Sequence, residues 1–271
     1  MIVQALRSLI FYTVFIGQTA VVAIIIGTVA LFTRGPTALT RALARYWCWS
    51  NIWLLRLLVG IRTEVVGEEN IPPGGCIIAA KHQSDWDVFA IFPHTGRPAY
   101  IVKKELMNIP FFGWAARSLD CIEVDRKKGA DAIPAMMAEA RAAIGRGCRI
   151  VIFPEGTRKA PLAPPDYRWG TAKMYEALGV PVVPVALNSG LFWGRNSLVL
   201  WPGTARARFL PAIPPGLSSR EFQARLAAAI EPASDALILA AARDGLRGPL
   251  TPQLRARLAE LEASKAGGDA A

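Results

Sequence analysis

The sequence predicts an α/β fold: a largely parallel, twisted sheet of about seven strands flanked by helices. Short apolar runs bounded by Gly, Pro or polar turns alternate with helical patterns over residues 62–215, which is typical of a parallel sheet covered by helices. A long uncharged segment precedes this region, and a purely helical pattern follows it. The 271 residues therefore divide into N-terminal helices at 1–61, an α/β domain at 62–215 and a C-terminal helical extension at 216–271.

Seven short apolar runs are predicted to form the strands. These runs are Thr63–Val66, Cys76–Ala80, Ala99–Val102, Cys121–Val124, Arg149–Phe153, Val182–Leu187 and Ala205–Leu210. Segments with helical periodicity lie between several of them and are expected to cover the sheet. The predicted helices are Trp86–Phe92, Phe111–Ser118, Asp131–Ile144 and Gly170–Leu178.

The N-terminal segment Leu9–Phe32 has 24 residues without a charge. As an α-helix it would be about 36 Å long, which exceeds the roughly 30 Å hydrocarbon core of a bilayer. The segment is therefore predicted to anchor the chain in a membrane, either by spanning it or by embedding in one leaflet. Arg34, Arg41 and Arg45 outnumber Arg7 on the other flank, which places the rest of the chain on the cytoplasmic face, of a bacterial inner membrane in the simplest interpretation.

The following segment, Arg41–Ile61, is predicted to be an amphipathic helix. Three arginines share one side of it: Arg41, Arg45 and Arg56. Four apolar residues share the opposite side: Leu43, Trp47, Leu54 and Leu58. Such a helix either lies in the membrane interface, with Trp47, Trp49 and Trp53 at headgroup depth, or packs on the domain. The absence of any acidic residue before Glu64 favours the interface.

Lys and Arg number 31 against 21 Asp and Glu, and the resulting net charge of +10 favours an anionic partner. Nucleic acid, anionic lipid and a phosphorylated substrate all fit that charge. Because six arginines among the first 63 residues adjoin the apolar segment, we expect lipid and no nucleic acid. Four cysteines without a Cys-x-x-Cys spacing and two histidines argue against a disulfide framework or a metal site.

The first motif with catalytic potential follows the predicted strand Cys76–Ala80. His82 and Asp87 are five residues apart, so a continuous helix would hold them about 140° apart, and they meet only if the chain turns between them. Ser84 and Asp87 form a capping-box pattern, which would begin a helix at Asp85 and bring Asp87 back toward His82. This geometry fits a helix cap and also a His–Asp pair, in which His82 could abstract a hydroxyl proton.

The second motif, Phe-Pro-Glu-Gly-Thr-Arg, begins at the end of the predicted strand Arg149–Phe153. Gly156 allows close approach of the backbone to an anion, and Thr157 and Arg158 supply a hydroxyl and a bidentate partner for phosphate oxygens. The alternative is an ordinary turn at the end of a strand with a surface Glu155–Arg158 pair. The chain has no Gly-x4-Gly-Lys-Ser/Thr and no Gly-x-Ser-x-Gly, so nucleotide hydrolysis and serine esterase chemistry lack their motifs.

With these two motifs, the sequence from Val65 to Gly190 resembles the lysophosphatidic acid acyltransferase family, whose members acylate the sn-2 hydroxyl of lysophosphatidate to give phosphatidate. Further blocks occur in the family's order. They are Gly-Glu-Glu-Asn-Ile-Pro at 67–72, Lys-Lys-Glu-Leu at 103–106, Ile-Pro-Phe-Phe-Gly-Trp at 109–114, Glu-Val-Asp-Arg at 123–126 and Val-Pro-Val-Ala-Leu-Asn at 183–188.

The resemblance implies that His82 is the general base and that Asp87 is its partner. It also implies that one set of residues lines the phosphate site of the acceptor: Lys103, Arg126, Glu155, Gly156, Thr157 and Arg158. The expected partners are a lysophospholipid acceptor, an acyl-CoA or acyl-acyl carrier protein donor and the membrane surface, with no bound cofactor or metal. Two positions depart from the family's pattern, since Asn is frequent where Lys81 stands and a second basic residue is frequent where Trp169 stands.

The simplest mechanism is direct transfer of the acyl group without an acyl-enzyme. Another lyso-lipid, a lyso-aminolipid or glycerol 3-phosphate remains an alternative acceptor. A lipid-binding protein without catalytic activity is the alternative from another class, with the basic N-terminal surface used for docking. The pair of His82 and Asp87 disfavours it, because docking needs no base.

Overall fold

The computed structural model describes residues 1–33, 35–125, 127, 129, 131 and 133–268. The strands in this part of the chain are β1 (Ile61–Val66), β2 (Cys76–Ala80), β3 (Pro98–Lys103), β4 (Ile122–Val124), β5 (Arg149–Ile152), β6 (Val182–Leu187) and β7 (Gly203–Phe209). They form one seven-stranded sheet in the order β1-β7-β6-β2-β5-β3-β4. Every neighbouring pair is parallel except β6 and β7, which are antiparallel. The predicted fold class, a largely parallel sheet of seven strands, is confirmed.

The seven predicted strands and the four helices predicted between them are present, with ends that differ by two residues or fewer. The two N-terminal helices begin earlier than predicted, at Ile2 and Ala38. The α-helices are α1 (Ile2–Thr33), α2 (Ala38–Leu54), α3 (Trp86–Ile91), α4 (Lys104–Met107), α5 (Phe112–Arg117), α6 (Ile133–Gly145), α7 (Trp169–Leu178), α8 (Ser219–Arg243) and α9 (Pro252–Gly268). Sequence analysis missed α4, because a single turn is too short to show helical periodicity.

Helices cover both faces of the sheet, and the alternation of side chains along β2 shows how. Cys76, Ile78 and Ala80 are buried on the face that α1, α2 and α3 cover. Ile77 and Ala79 are buried on the opposite face, in a core shared with α6, α7 and α8. The same alternation, continued past the end of β2, directs residues 81 and 82 toward opposite faces.

Helix α1 packs along the domain by one side over most of its length. Gln4 donates a hydrogen bond to the carbonyl of Leu200 at 2.7 Å, near the start of the helix. Gly27, near its other end, contacts the backbone of Phe111 so closely that a Cβ would lie 2.7 Å from that carbonyl oxygen. The opposite side exposes large apolar residues: Leu6, Leu9, Ile10, Val14, Ile16, Val21, Ile24, Ile25, Leu31 and Phe32. Among the described residues, α1 is the one helix long and apolar enough to cross a membrane.

Helix α2 and the π-helical turn that follows it, Leu55–Val59, pack their predicted apolar side on the domain. The segment ends two residues earlier than predicted, because Gly60 adopts a left-handed conformation with φ of 89° and β1 then begins. The indole of Trp47 donates to Thr19 at 3.0 Å and lies against Phe89, so this ring packs on the domain. Trp49 and Trp53 are exposed, together with Tyr46 and Leu57.

Candidate active site

Three neighbouring strands carry most of the predicted site residues to one edge of the sheet. His82 follows β2, Lys103 ends β3, and the Phe-Pro-Glu-Gly-Thr-Arg loop follows β5. Strand β5 lies between β2 and β3 and is parallel to both. The carboxyl ends of these strands therefore meet at the same edge, where open α/β sheets bind their ligands.

His82 and Asp87 form the predicted pair. The turn between them brings Nδ1 of His82 within 2.8 Å of Oδ2 of Asp87. The same carboxylate oxygen accepts the backbone N–H groups of Gln83 at 2.7 Å and Ser84 at 2.9 Å. The Ser84 hydroxyl accepts the N–H of Trp86 at 3.0 Å, so α3 begins one residue later than the capping box suggested. The carboxylate of Asp87 therefore contacts the imidazole of His82 and the backbone at the start of α3 at the same time.

Both oxygens of Asp87 are held, and the side chain is fully buried. The hydroxyl of Ser189, which lies just after β6 on the other side of β2, donates to Oδ1 at 2.5 Å. Sequence analysis did not identify Ser189. Its position one residue past the Val-Pro-Val-Ala-Leu-Asn block was the available signal. A carboxylate fixed in this way can set the imidazole's orientation and tautomer.

The imidazole of His82 is held flat as well. Its ring stacks on Phe153 with centroids 3.9 Å apart and planes 16° from parallel. The side chain remains 16% exposed. Because Nδ1 faces Asp87, an Nδ1–H tautomer leaves the lone pair of Nε2 for a proton from a substrate.

The second motif loop holds the backbone of His82 from both sides. A carboxylate oxygen of Glu155, Oε2, accepts the N–H of His82 at 3.0 Å, and the N–H of Lys159 donates to the His82 carbonyl at 2.8 Å. Glu155 is 1% exposed, and its carboxylate faces the His82 backbone. Burial raises the pKa of Glu155, and the nearby Lys81 ammonium opposes that rise.

Arg158 reaches back to the first motif. Its Nη1 lies 2.7 Å from Oδ2 of Asp85, so the predicted alternative of a surface pair with Glu155 is replaced by a pair with Asp85. Gly156 has a positive φ of 66°, which turns the loop at this point. Thr157 is half-buried beside it, and Lys103 is exposed at the end of β3.

Arg126, predicted to bind phosphate, lies outside the described residues. Trp169, where the family often has a basic residue, begins α7 and is largely exposed. Among the residues that the structure describes, no group of three His, Cys, Asp or Glu side chains is arranged to hold a metal ion. The candidate active site therefore consists of the imidazole of His82, the buried carboxylate of Asp87 and the guanidinium of Arg158.

Comparison with known proteins identifies the family of this chain. A family model described as Acyltransferase matches residues 62–188, a range that includes both motifs. The 1-acyl-sn-glycerol-3-phosphate acyltransferase of Pseudomonas aeruginosa is 36% identical over 217 residues, which are 78% of this chain and 82% of that protein. The human 1-acyl-sn-glycerol-3-phosphate acyltransferase alpha is 30% identical over 163 residues, covering 59% of this chain and 58% of the human protein.

The fold also matches a solved structure. The crystal structure of the 1-acyl-sn-glycerophosphate acyltransferase from Thermotoga maritima superimposes with a TM-score of 0.69 at 20% identity, over 91% of this chain and 100% of that chain. This match supports the fold, and the sequence relatives identify the family. The chain belongs to the family of 1-acyl-sn-glycerol-3-phosphate acyltransferases and is an acyltransferase enzyme.

Proposed function

We propose that this enzyme transfers a fatty acyl group from a thioester donor to the sn-2 hydroxyl of lysophosphatidate, giving phosphatidate, with His82 as general base. The observation that carries the proposal is the contact of 2.8 Å between Nδ1 of His82 and the buried carboxylate of Asp87. This contact supports a role for Nε2 as the proton acceptor. Lysophosphatidate is proposed as the acceptor because the relatives are named 1-acyl-sn-glycerol-3-phosphate acyltransferases.

The reaction is proposed to be a direct transfer. The acceptor hydroxyl gives its proton to Nε2 of His82 while its oxygen attacks the thioester carbonyl carbon. When the tetrahedral intermediate collapses, the C–S bond breaks and the protonated His82 returns the proton to the thiolate. General-base catalysis of this kind contributes roughly 10²–10⁴ in rate, and the remainder comes from positioning of the two substrates and stabilisation of the oxyanion.

Arg158 is the proposed ligand of the acceptor's phosphate, with Gly156, Thr157, Lys103 and Arg126 beside it. Its contact with Asp85 places the guanidinium at the turn that carries His82. A guanidinium binds phosphate through two parallel hydrogen bonds, which also fixes the orientation of the ligand. A phosphate bound here would hold the neighbouring hydroxyl of the same small molecule close to the base. Acyl-CoA or acyl-acyl carrier protein is the proposed donor, and no bound cofactor or metal is part of the mechanism.

The N-terminal helices are proposed to attach the enzyme to the membrane. Because α1 contacts the domain near both ends, it is proposed to lie in one leaflet along the surface of the domain rather than to cross the bilayer. The exposed apolar side of α1 and the exposed Trp49 and Trp53 of α2 are the surfaces proposed to insert into the membrane. The domain is proposed to face the cytoplasm, at a bacterial inner membrane. His82 lies on the α1 and α2 side of the sheet, which suits an acceptor that arrives from the bilayer.

The proposal is tested with purified protein in vesicles, labelled acyl-CoA or acyl-acyl carrier protein, and a panel of acceptors. The panel comprises lysophosphatidate, a lyso-lipid with another headgroup, a lyso-aminolipid and glycerol 3-phosphate. We expect acyl transfer to lysophosphatidate with the highest kcat/KM. Transfer to another acceptor alone would reassign the substrate, and binding without transfer to any of them would favour the non-catalytic lipid-binding alternative.

A further inference from the structure

A second polar cluster lies behind the active site, on the opposite side of the sheet from the His82 ring. It consists of Lys81, Glu155 and Glu231. Side-chain alternation along β2 directs Lys81 toward the face covered by α8, while His82 points to the other face. Glu231 lies in the middle of α8, which belongs to the C-terminal extension. The cluster therefore joins that extension to the loop of the catalytic histidine.

The contacts within the cluster are close and largely buried. Nζ of Lys81 lies 2.7 Å from each carboxylate oxygen of Glu231 and 3.7 Å from Oε1 of Glu155. The side chains of Lys81 and Glu155 are 2% and 0% exposed. The hydroxyl of Tyr167 donates to Glu231 at 2.5 Å, which fixes the far side of that carboxylate. The Lys81 ammonium thus binds carboxylates of the protein, and it is too deeply buried to contact a substrate.

The charges in this cluster depend on one another. Two carboxylates, Glu155 and Glu231, share one ammonium group. Without Lys81, the buried Glu155 carboxylate would lose its neighbouring ammonium, an arrangement that favours the neutral, protonated acid. A protonated Glu155 is a weaker acceptor for the N–H of His82 than a charged one.

We propose that Lys81 is a positioning residue that keeps the Glu155 carboxylate charged against the backbone N–H of His82, and that Glu231 anchors the Lys81 ammonium there, so that α8 helps to fix the general base. The inference rests on the proposed function only in that His82 is taken as the base. It extends the catalytic machinery from the two motifs to a residue of α8, 150 positions beyond Lys81 along the chain.

The test uses the fact that the chain has two histidines. The full-length protein is labelled with ¹³C,¹⁵N-histidine in nanodiscs, which gives one backbone amide signal each for His82 and His94. His94 pairs with Glu68 at 2.6 Å and packs against Trp49, outside this cluster, and serves as an internal reference. The ring signals of His82 report protonation of the imidazole separately from the amide signal.

Three variants are compared. Lys81→Met removes the cation, and Glu231→Gln removes its partner on α8. Asp244→Asn is the matched control, because it makes the same carboxylate-to-amide change at the end of α8, where Asp244 pairs with Arg206 at 2.8 Å.

We expect the His82 amide signal to move upfield in Lys81→Met and to stay in place in Asp244→Asn. We also expect kcat to fall about tenfold in Lys81→Met with both KM values unchanged, since a small displacement of a catalytic group lowers the rate without removing a substrate contact.

The pH dependence gives opposite signs for the two cluster variants. The charged or polar groups that face Glu155 are Lys81, His82, Glu231 and Tyr167. Loss of the Lys81 cation raises the pKa of Glu155, so the pH at which the amide signal titrates should rise. Loss of the negative Glu231 lowers it, so that midpoint should fall in Glu231→Gln. A role limited to packing would not produce opposite shifts.

The proposal is overturned if the His82 amide, its titration and kcat in Glu231→Gln and Lys81→Met all match those of Asp244→Asn. If Lys81→Met does not fold, Lys81→Gln, which removes the charge and keeps a polar side chain, is compared with Asp244→Asn in its place. If the amide shifts occur as expected in a protein that does not acylate lysophosphatidate, the positioning role is supported and the proposed substrate is wrong.

Discussion

The guanidinium of Arg158 lies 2.7 Å from the carboxylate of Asp85, and this contact joins two motifs that are 73 residues apart in the chain. Both side chains are partly exposed, 25% for Arg158 and 48% for Asp85. An ion pair in contact with solvent contributes only about 0–1 kcal/mol. A doubly charged phosphate can therefore displace Asp85 from Arg158, and the pair marks the place where we expect the acceptor's phosphate to bind.

Replacement of Arg158 by Ala should raise the KM for the acceptor. Loss of a hydrogen bond to a charged group costs about 1.5–3 kcal/mol, which corresponds to an increase of roughly tenfold or more. The KM for the acyl donor should not change. Arg257→Ala is a suitable control, since Arg257 forms a similar exposed pair with Glu260 at 3.0 Å on α9. An unchanged acceptor KM with a raised donor KM would assign this loop to the donor instead.

Replacement of Asp85 by Asn should have the opposite effect. The variant removes the carboxylate that competes with phosphate for Arg158, so the KM for lysophosphatidate should fall, by about two- to fivefold on the scale of an exposed ion pair. The KM for a lyso-lipid with an uncharged headgroup should stay the same. Steady-state kinetics with both acceptors measure this difference. A higher KM for lysophosphatidate would show that Asp85 orients Arg158 for phosphate binding instead of competing with the phosphate.

The proposed membrane surface is tested by changing exposed residues, because truncation would damage the core. Phe11, Val22 and Ile26 of α1 are buried in the same core as β2, and deletion of residues 1–34 would expose that core. The double substitution of Trp49 and Trp53 by Ala should instead weaken binding to anionic vesicles with at most a small loss of melting temperature, since both rings are exposed and Trp49 also contacts His94.

Vesicle flotation at low and high salt measures this binding. Trp169→Ala is the control, because Trp169 is an exposed tryptophan on α7, which covers the opposite face of the sheet. Equal flotation of the double variant and the wild type would assign membrane binding to α1 alone.

The elements that could be predicted from the sequence are those encoded locally. Strand β2 is a fully buried apolar run between turns, and its observed ends match the prediction. The pairing of His82 with Asp87 followed from a capping pattern within six residues, since a carboxylate that returns to a helix start must approach the residue before the turn. Such signals require only neighbouring residues.

The features that were missed depend on residues far apart in the chain. The partners of Glu155 are one example, because its carboxylate turns toward Lys81 and the His82 backbone inside the protein. Nothing near Lys81 in the sequence indicates Glu231 as its counterion. The inward position of Trp47 likewise depends on Thr19 of a different helix. Helical periodicity gives the apolar side of α2 but does not show which surface that side contacts.

Replacement of Asp87 by Asn should reduce turnover strongly in a folded protein. The amide cannot stabilise an imidazolium and favours the wrong tautomer, an effect of about 10⁴ in the Ser-His-Asp triad that serves as the reference case. The substitution can also weaken the start of α3, since Asp87 accepts the N–H groups of Gln83 and Ser84 and a neutral amide oxygen is a weaker acceptor than a carboxylate. Melting temperature and kcat are therefore measured together. A loss of activity no larger than the loss of folded protein would leave Asp87 with the capping role alone.

The most direct test of the mechanism is the rate of acyl transfer to lysophosphatidate by His82→Ala, with the other histidine variant, His94→Ala, as control. Both proteins are assayed on vesicles after their melting temperatures and flotation have been compared with those of the wild type. If His82 is the general base, its loss should lower turnover by roughly 10²–10⁴ while membrane binding is retained, and His94→Ala should remain active. Near-normal turnover by a folded, membrane-bound His82→Ala variant would contradict the proposed mechanism.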